Sequence, residues 1–553
     1  MRGVIDKVQA RTMCRPRWSP IMKCRSHIPL VILMVSVLGG CASLPPGSDF
    51  PKHASSALAH PEQTRLGAQF QSAAHEHNGN SGFRIIPVGA DGFLMRIQMI
   101  NAAVQTLDLQ YFIFRGDDTG RLLTEAVVHA ADRGVRVRIL IDDGETVTGD
   151  DQVAEIAAHH SVELRLFNPF AYRGDSKLLK AMEFMADARR LDYRMHNKLL
   201  VVDNSIALIG GRNVGDEYFQ IDPESQVADD DVFVAGPIAQ QLSRTFDEFW
   251  NNALSIPSEA LYDGKSSHAD LNEHRQVLKD ERRQMKAEGV DYVKRITSGE
   301  PFNSVISGRL SLIWAHARLI SDSPDKKKVE KGEMVGRLMR RAVAKATIAA
   351  QSELLMVTPY LIPGDEGMQM FNDLRQRNVR VRILTNSLES STVILAQSGY
   401  IKYRLPLLQA GVELYEVRSL LGNTRGSGQT KAISRYGNYS LHAKLFVFDR
   451  KSLFIGSMNF DQRSMHLNTE IGLIIDSPEL AQQLAARFDA MVQPVNCYAL
   501  ALIPAVAGGS SPSFVWRTQE DGEAVEYVTE PARSDWQRNS VKMLSLLPLD
   551  KEL

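Results

Sequence analysis

Runs of apolar residues separated by helical stretches organise most of the chain. At 106–114, TLDLQYFIF precedes a helical spacing over Leu122–Ala131 and then the apolar run GVRVRILIDD. At 353–362, ELLMVTPYLI precedes a helical spacing over Met368–Arg375 and then NVRVRILTNS. Continuous apolar strands alternating with helices predict an α/β fold whose largely parallel or mixed sheets are covered on both faces. The string RVRIL recurs unchanged at 136–140 and 380–384. Such a duplication predicts two similar lobes, over 82–255 and 321–505, related by a pseudo-twofold axis. The intervening 256–320 is highly charged with weak helical spacing and reads as a connector. In FDEFW, the aromatics Phe246, Phe249 and Trp250 have the spacing of a helix packing face. Beyond the second lobe, 506–553 predicts a β-hairpin turning at Asp521-Gly522 and an amphipathic tail. The tail's apolar face is expected from Trp536, Met543, Leu544 and Leu547, lying either on the second lobe or in a membrane interface.

The N-terminal pattern differs. An apolar run of 11 residues, 28–38, follows a basic stretch holding Arg15, Arg17, Lys23 and Arg25. It is too short to span a bilayer and has the size and flanks of a signal-peptide core. The run ends in Leu38-Gly39-Gly40-Cys41, which resembles the lipobox of bacterial lipoproteins. That resemblance implies removal of residues 1–40 and diacylation of Cys41; a buried cysteine behind a core helix is the bland alternative. Residues 41–81, rich in Pro, Ser, Gly, Ala and His, then read as a tether. With 64 Lys and Arg against 65 Asp and Glu, the chain has no basic excess to suggest nucleic acid. Four cysteines, too scattered for a disulfide framework, also exclude a Cys-based zinc site.

The duplication carries candidate chemistry. MHNKLLVVDNSIALIGGRN supplies His196, Lys198 and Asp203; LHAKLFVFDRKSLFIGSMN supplies His442, Lys444 and Asp449. Both fit H-x-K-x4-D, and Asn213 and Asn459 follow after an apolar strand and a turn with Gly210, Gly211 or Gly456, Ser457. On an extended strand, His and Lys at i and i+2 share a face. Two lobes face to face would then give one pocket with two imidazoles and two ammonium groups. One neutral imidazole can attack phosphorus while the opposing imidazolium protonates the leaving oxygen. Lysines and asparagines can hold the non-bridging oxygens, with no cofactor and no metal called for by the motifs.

The paired motifs resemble the phospholipase D superfamily, from about residue 82 to about 500. The resemblance implies a phosphohistidine intermediate on one of His196 and His442, with His196 the favoured nucleophile and the other the general acid and base. It implies phosphate binding by Lys198, Lys444, Asn213 and Asn459. It also implies an acid orienting each histidine: Glu470 in NTEIGLII and, by its place before a similar apolar strand, Asp231 in DDDVFVAG. Asp203 and Asp449 complete the catalytic motifs at the end of an apolar strand, a place suited to bracing. Segments such as NPFAYRG, LDYRMHNKLLVVDN, ADDDVFVAGP and SMNFDQRSMHLNTEIG resemble bacterial cardiolipin synthases, nearest the C type. That likeness implies a phosphatidyl transferase using phosphatidylethanolamine as donor and phosphatidylglycerol as acceptor, with a hint of an accessory protein. One departure is that a lipobox stands where better-known members carry two transmembrane helices. With the lipobox, it implies a lipid-anchored protein of the bacterial envelope facing the periplasm. A phospholipase D releasing phosphatidic acid is the alternative; an envelope nuclease or a non-catalytic scaffold is disfavoured by charge balance and by two intact motifs. The segment 418–439, leading into the second motif, reads equally as an active-site loop or a solvated one.

Overall fold

A computed structural model describes residues 44–144, 156–174, 176–220, 226–261, 276, 301–421, 439–503 and 513–547. Cys41 and the leader lie outside these residues, as do 422–438 within the predicted loop and most of the charged connector. Residues 44–553 form one compact unit.

The first lobe contributes β1 (Ser81–Ile86), β2 (Thr106–Tyr111), β3 (Arg136–Asp142), β4 (Val162–Phe167), β5 (Leu199–Val202), β6 (Ile206–Gly210), β7 (Gln226–Ala228), β8 (Asp231–Ala235) and β9 (Ser255–Pro257). A long strand, β10 (Ile313–Ser321), opens the second lobe. It is followed by β11 (Glu353–Val357), β12 (Arg380–Asn386), β13 (Glu413–Val417), β14 (Tyr439–Leu441), β15 (Leu445–Phe448), β16 (Ser452–Gly456), β17 (Ile471–Asp476) and β18 (Cys497–Ile503). The hairpin β19 (Ser513–Glu520) and β20 (Glu523–Tyr527) closes the set, turning through left-handed Asp521 and Gly522 as its sequence predicts.

Pairing runs β9-β4-β3-β2-β5-β6-β8-β1 in the first lobe and β10-β17-β16-β15-β11-β12-β13-β18 in the second. The two orders are related by the pseudo-twofold, and β1 pairs with β10 to make one continuous sheet. The RVRIL strands are parallel to their neighbours on both sides. Their alternation is the same in both copies. Val137 and Ile139 face the first lobe's outer core, as Val381 and Ile383 face the second's, while Leu140 and Leu384 both enter a core shared by the two lobes. That shared core also receives Phe246, Phe249 and Trp250, all fully buried. The lobes therefore fold onto one apolar interior, and each surface that carries chemistry is fixed relative to the other.

Three expectations need correction. Much of the expected tether is bound to the first lobe. Lys52 Nζ donates to the carbonyls of Asn252 and Ser255, and the helix Arg65–Glu76 buries Leu66, Phe70 and Ala74. Its Pro- and Ser-rich composition conceals a helix with apolar residues at i, i+4 and i+8, a spacing that buries one stripe. The end of the expected connector is β10, whose alternating IWAHARLIS joins the two sheets. The tail helix Asp535–Leu544 does lie on the second lobe, but through Gln537 and Val541, with Gln537 Nε2 donating to the Leu388 carbonyl at 2.7 Å. Trp536, Met543 and Leu547 point outward instead.

Candidate active site

Each motif begins where a chain segment crosses between lobes. His196 N–H donates to the Thr469 carbonyl at 3.0 Å, and His442 N–H to that of Ala228 at 2.7 Å. β7 and β14 pair in parallel at the second crossing, and a bridge between Met195 and Thr469 marks the first. The residue ahead of each histidine is held by the end of its lobe's RVRIL strand. Met195 N–H donates to Asp142 Oδ2 at 2.7 Å, and Leu441 N–H to Asn386 Oδ1 at 2.8 Å.

The histidines are oriented by carboxylates of the opposite lobe. His196 Nδ1 lies 2.9 and 3.0 Å from the two oxygens of Glu470; His442 Nδ1 lies 2.6 Å from Asp229 Oδ2. Glu470 stands where the expected orienting acid would stand. Asp231 does not: its Oδ2 accepts from the buried guanidiniums of Arg96 and Arg212, at 2.8 and 3.1 Å. Strand register explains the difference. Gly210 pairs with Asp231 and the equivalent Gly456 with Gly472, so Glu470 corresponds to Asp229. A carboxylate on Nδ1 fixes the tautomer and leaves Nε2 for chemistry.

Lys198 and Lys444 are buried beside the histidines, each donating to the carbonyl of its own motif histidine. Lys444 Nζ also lies 2.8 Å from His442 Nδ1. Asp203 and Asp449 sit at the far ends of the motif strands in three-residue hairpin connections, where Asp203-Asn204 and Asp449-Arg450 are left-handed. Asp203 accepts from the N–H groups of Val104, Gln105 and Thr106, and Asp449 from those of Gln351, Ser352 and Glu353. They brace the motif against β2 and β11 and contact neither histidine. Asn213 is tied at both ends, accepting from Ile113 N–H and donating to the Tyr218 hydroxyl. Asn459 is buried with its Oδ1 unpartnered among the described residues. Three further neighbours carry no signature of a site residue in the sequence. Phe112 meets the His196 ring edge-to-face at 4.9 Å, Tyr218 meets His442 at 5.3 Å, and Ser457 Oγ donates to Glu470 at 2.5 Å.

Burial and the two ammonium groups hold His196 well below the usual imidazole range, and burial with Lys444 takes His442 down to about 3. Each histidine feels the lysines of both lobes, so the four groups share one electrostatic site. Burial pushes Lys444 down to about 8 and Lys198 well below its ordinary value. Glu470 is pushed up to about 7 by burial. Burial acts the same way on Asp229, but Lys444 and His442 outweigh it and hold that carboxyl below the carboxylate range. Both imidazoles are therefore held neutral, and a bound anion would favour protonating one. Among the described residues, no group of three His, Cys, Asp or Glu is placed to hold a metal ion.

Known proteins resemble the chain across both lobes. The family described as cardiolipin synthase, PLD-like domain, matches residues 96–250 and 345–492, one segment per lobe. Cardiolipin synthase C of Escherichia coli (strain K12) is 34% identical over 506 residues, 88% of this chain and 99% of that one. The major cardiolipin synthase of Bacillus subtilis (strain 168) is 24% identical, covering 73% of this chain and 67% of its own. The crystal structure of phosphatidylserine synthase from Haemophilus influenzae Rd KW20 superposes with a TM-score of 0.50 at 12% identity, over 78% of this chain and 92% of that one, showing a common fold. The chain belongs to the cardiolipin synthase family of phospholipase D-like phosphatidyltransferases.

Proposed function

We propose that the protein makes cardiolipin by moving a phosphatidyl group from phosphatidylethanolamine to phosphatidylglycerol through a phosphohistidine. The reading is carried by the crossed pairs, His196 with Glu470 and His442 with Asp229. His196 Nε2 attacks the donor phosphorus while the bond from phosphorus to the headgroup oxygen breaks. His442, protonated when the phosphodiester anion is bound, gives its Nε2 proton to that oxygen and ethanolamine leaves. The acceptor hydroxyl then attacks phosphorus, returns its proton to His442 and releases His196. Lys198, Lys444 and Asn459 stabilise the non-bridging oxygens as charge builds. The contacts of the two rings favour this division of roles. A phosphoimidazolium on His196 faces both oxygens of Glu470, whereas Lys444 Nζ, 2.8 Å from the His442 ring, favours release of a proton there. Likeness to cardiolipin synthase C supports the choice of lipids.

The leader and Cys41 support a lipid anchor on a membrane of the bacterial envelope, with the enzyme facing the periplasm. Incorporation of labelled fatty acid should be lost in Cys41→Ser.

The deciding experiment supplies vesicles containing labelled phosphatidylethanolamine and phosphatidylglycerol. Labelled cardiolipin and free ethanolamine should appear, undiminished by EDTA, and His196→Ala and His442→Ala should each lower turnover by at least roughly 10³-fold. Phosphatidic acid as the sole product would make the protein a hydrolase, and strict metal dependence would overturn the mechanism.

A further inference from the structure

The helix Lys177–Ala186 ends ten residues before His196 and has no buried residue, although its sequence is KLLKAMEFMA. Leu178 is 70% exposed, Met182 52% and Met185 72%, and Leu179 is also exposed. At 100° per residue, Leu178, Met182 and Met185 fall on one arc. Glu183 lies on the opposite side, where its carboxylate accepts from the N–H groups of Ala171 and Tyr172 at 2.6 and 2.8 Å. The helix is thus tied to the body by its polar side and turns its apolar side outward. Lys180 lies beside Glu183 on the polar side, and Lys177 stands between the two sides. Ten residues do not hold a helix in water by themselves, and so much exposed apolar surface in one element marks a site that something covers.

We infer that this helix lies in the headgroup region of an anionic phospholipid bilayer, with Leu178, Met182 and Met185 among the acyl chains and its lysines on lipid phosphates. An apolar arc with lysines on the other face is the pattern of an in-plane interfacial helix. Its place in the chain directs the choice of partner. The helix leads through Asp192, which accepts from Arg463 of the second lobe at 2.5 Å, into the His196 motif. Docking it would bring the mouth of the cleft to the surface that holds the substrates. The contact is separate from Cys41 and rests, as to its partner, on the reading of the protein as a phospholipid enzyme.

The full chain carrying Met182→Cys, labelled with a polarity-sensitive fluorophore, tests the contact directly, with the parent protein labelled identically as the blank. Emission should shift to the blue on adding phosphatidylglycerol vesicles, and less with zwitterionic vesicles or high salt. A shift that follows protein concentration without lipid would assign the face to a second copy. No shift with any vesicle would also overturn the inference. Turnover supplies the second readout. Leu178→Ser with Met185→Ser should lower turnover on vesicles by about tenfold and leave turnover in detergent micelles unchanged. Equal loss in both overturns it. An enzyme inactive on lipid in either form, but blue-shifting on vesicles, would sink the proposed reaction while leaving the contact standing.

Discussion

In the first lobe, Arg96 and Arg212 both reach Asp231, and the Arg96 guanidinium lies 5.1 Å from the Phe219 ring centroid. All three charged groups are buried. At the corresponding places of the second lobe stand Val343, Met458 and Gly472, and Met465 replaces Phe219. These smaller side chains leave a cavity of about 530 Å³, lined by Val343, Met370, Met458, Phe460 and Met465 and edged by Arg340 and Arg341. The same strands and helices thus position the catalytic loop in two ways. A closed ionic cluster supports Gly211-Arg212-Asn213, whose asparagine is tied at both ends. Open space lies behind Ser457-Met458-Asn459, whose asparagine keeps an unpartnered oxygen. Duplication preserved the His-Lys pairs, while the packing beneath them diverged.

The largest expected contrast separates two acids that are neighbours in sequence. Asp229→Asn should lower kcat by about 10³- to 10⁴-fold, as loss of a histidine-orienting carboxylate does elsewhere, with the urea midpoint nearly unchanged. Asp231→Asn leaves two buried guanidiniums short of their counter-charge, and should cost about 3–5 kcal/mol of stability. Its activity should fall far less than that of Asp229→Asn under conditions where it stays folded. If the two exchange effects, the register that pairs Asp231 with Gly210 is wrong.

This pair also marks the limit of what the chain reveals unfolded. Both copies of the motif were readable because the chemistry needs His and Lys two residues apart, and the bracing role of Asp203 and Asp449 followed from their place at a strand end. The partner acids depend on inter-lobe register, which no local pattern carries. Among Asp229, Asp230 and Asp231, the following apolar run pointed to the last, yet sheet pairing selects the first. Arg96 left a clue, a lone charge in the apolar GFLMRIQMI, but its partner lies on a distant strand. Leu66, Phe70 and Ala74 were likewise visible at helical spacing, beneath a composition that read as tether.

A smaller contrast lies at Gly211 and Ser457, equivalent positions beside the two acids. A Cβ on Gly211 would come within 2.2 Å of Asp229 Oδ1. Gly211→Ala should therefore displace the acid and lower kcat by about 10²-fold. Ser457→Ala should cost about tenfold or less, since Glu470 keeps its place against His196. Its clearer effect is on pH. The Ser457 hydrogen bond favours ionised Glu470, whose carboxyl burial has raised to about 7. In the parent enzyme kcat/KM should fall as pH drops through about 7. Ser457→Ala should move that limb to higher pH, and Glu470→Gln to lower pH, where the neutral histidine governs. Because the folded value lies above the ordinary 4.5, ionising Glu470 also withdraws stability as pH rises from about 4.5 to about 7. Glu470→Gln should abolish that part of the pH dependence of unfolding.

The smallest effect concerns the cavity. Val343→Leu adds one methylene on a helix face that already borders empty space, so it should stabilise by about 0.5–1 kcal/mol, read as a rise in the urea midpoint. At a close-packed site the same added methylene would usually be destabilising. Met458 and Phe460 line the cavity on either side of Asn459, so filling it also tests whether the second loop uses its slack. Unchanged kcat with raised stability would make the cavity a packing remnant of the duplication. A fall in kcat at unchanged KM would mean that Asn459 must move during phosphoryl transfer, an adjustment the first loop, with Asn213 tied at both ends, is not built to make.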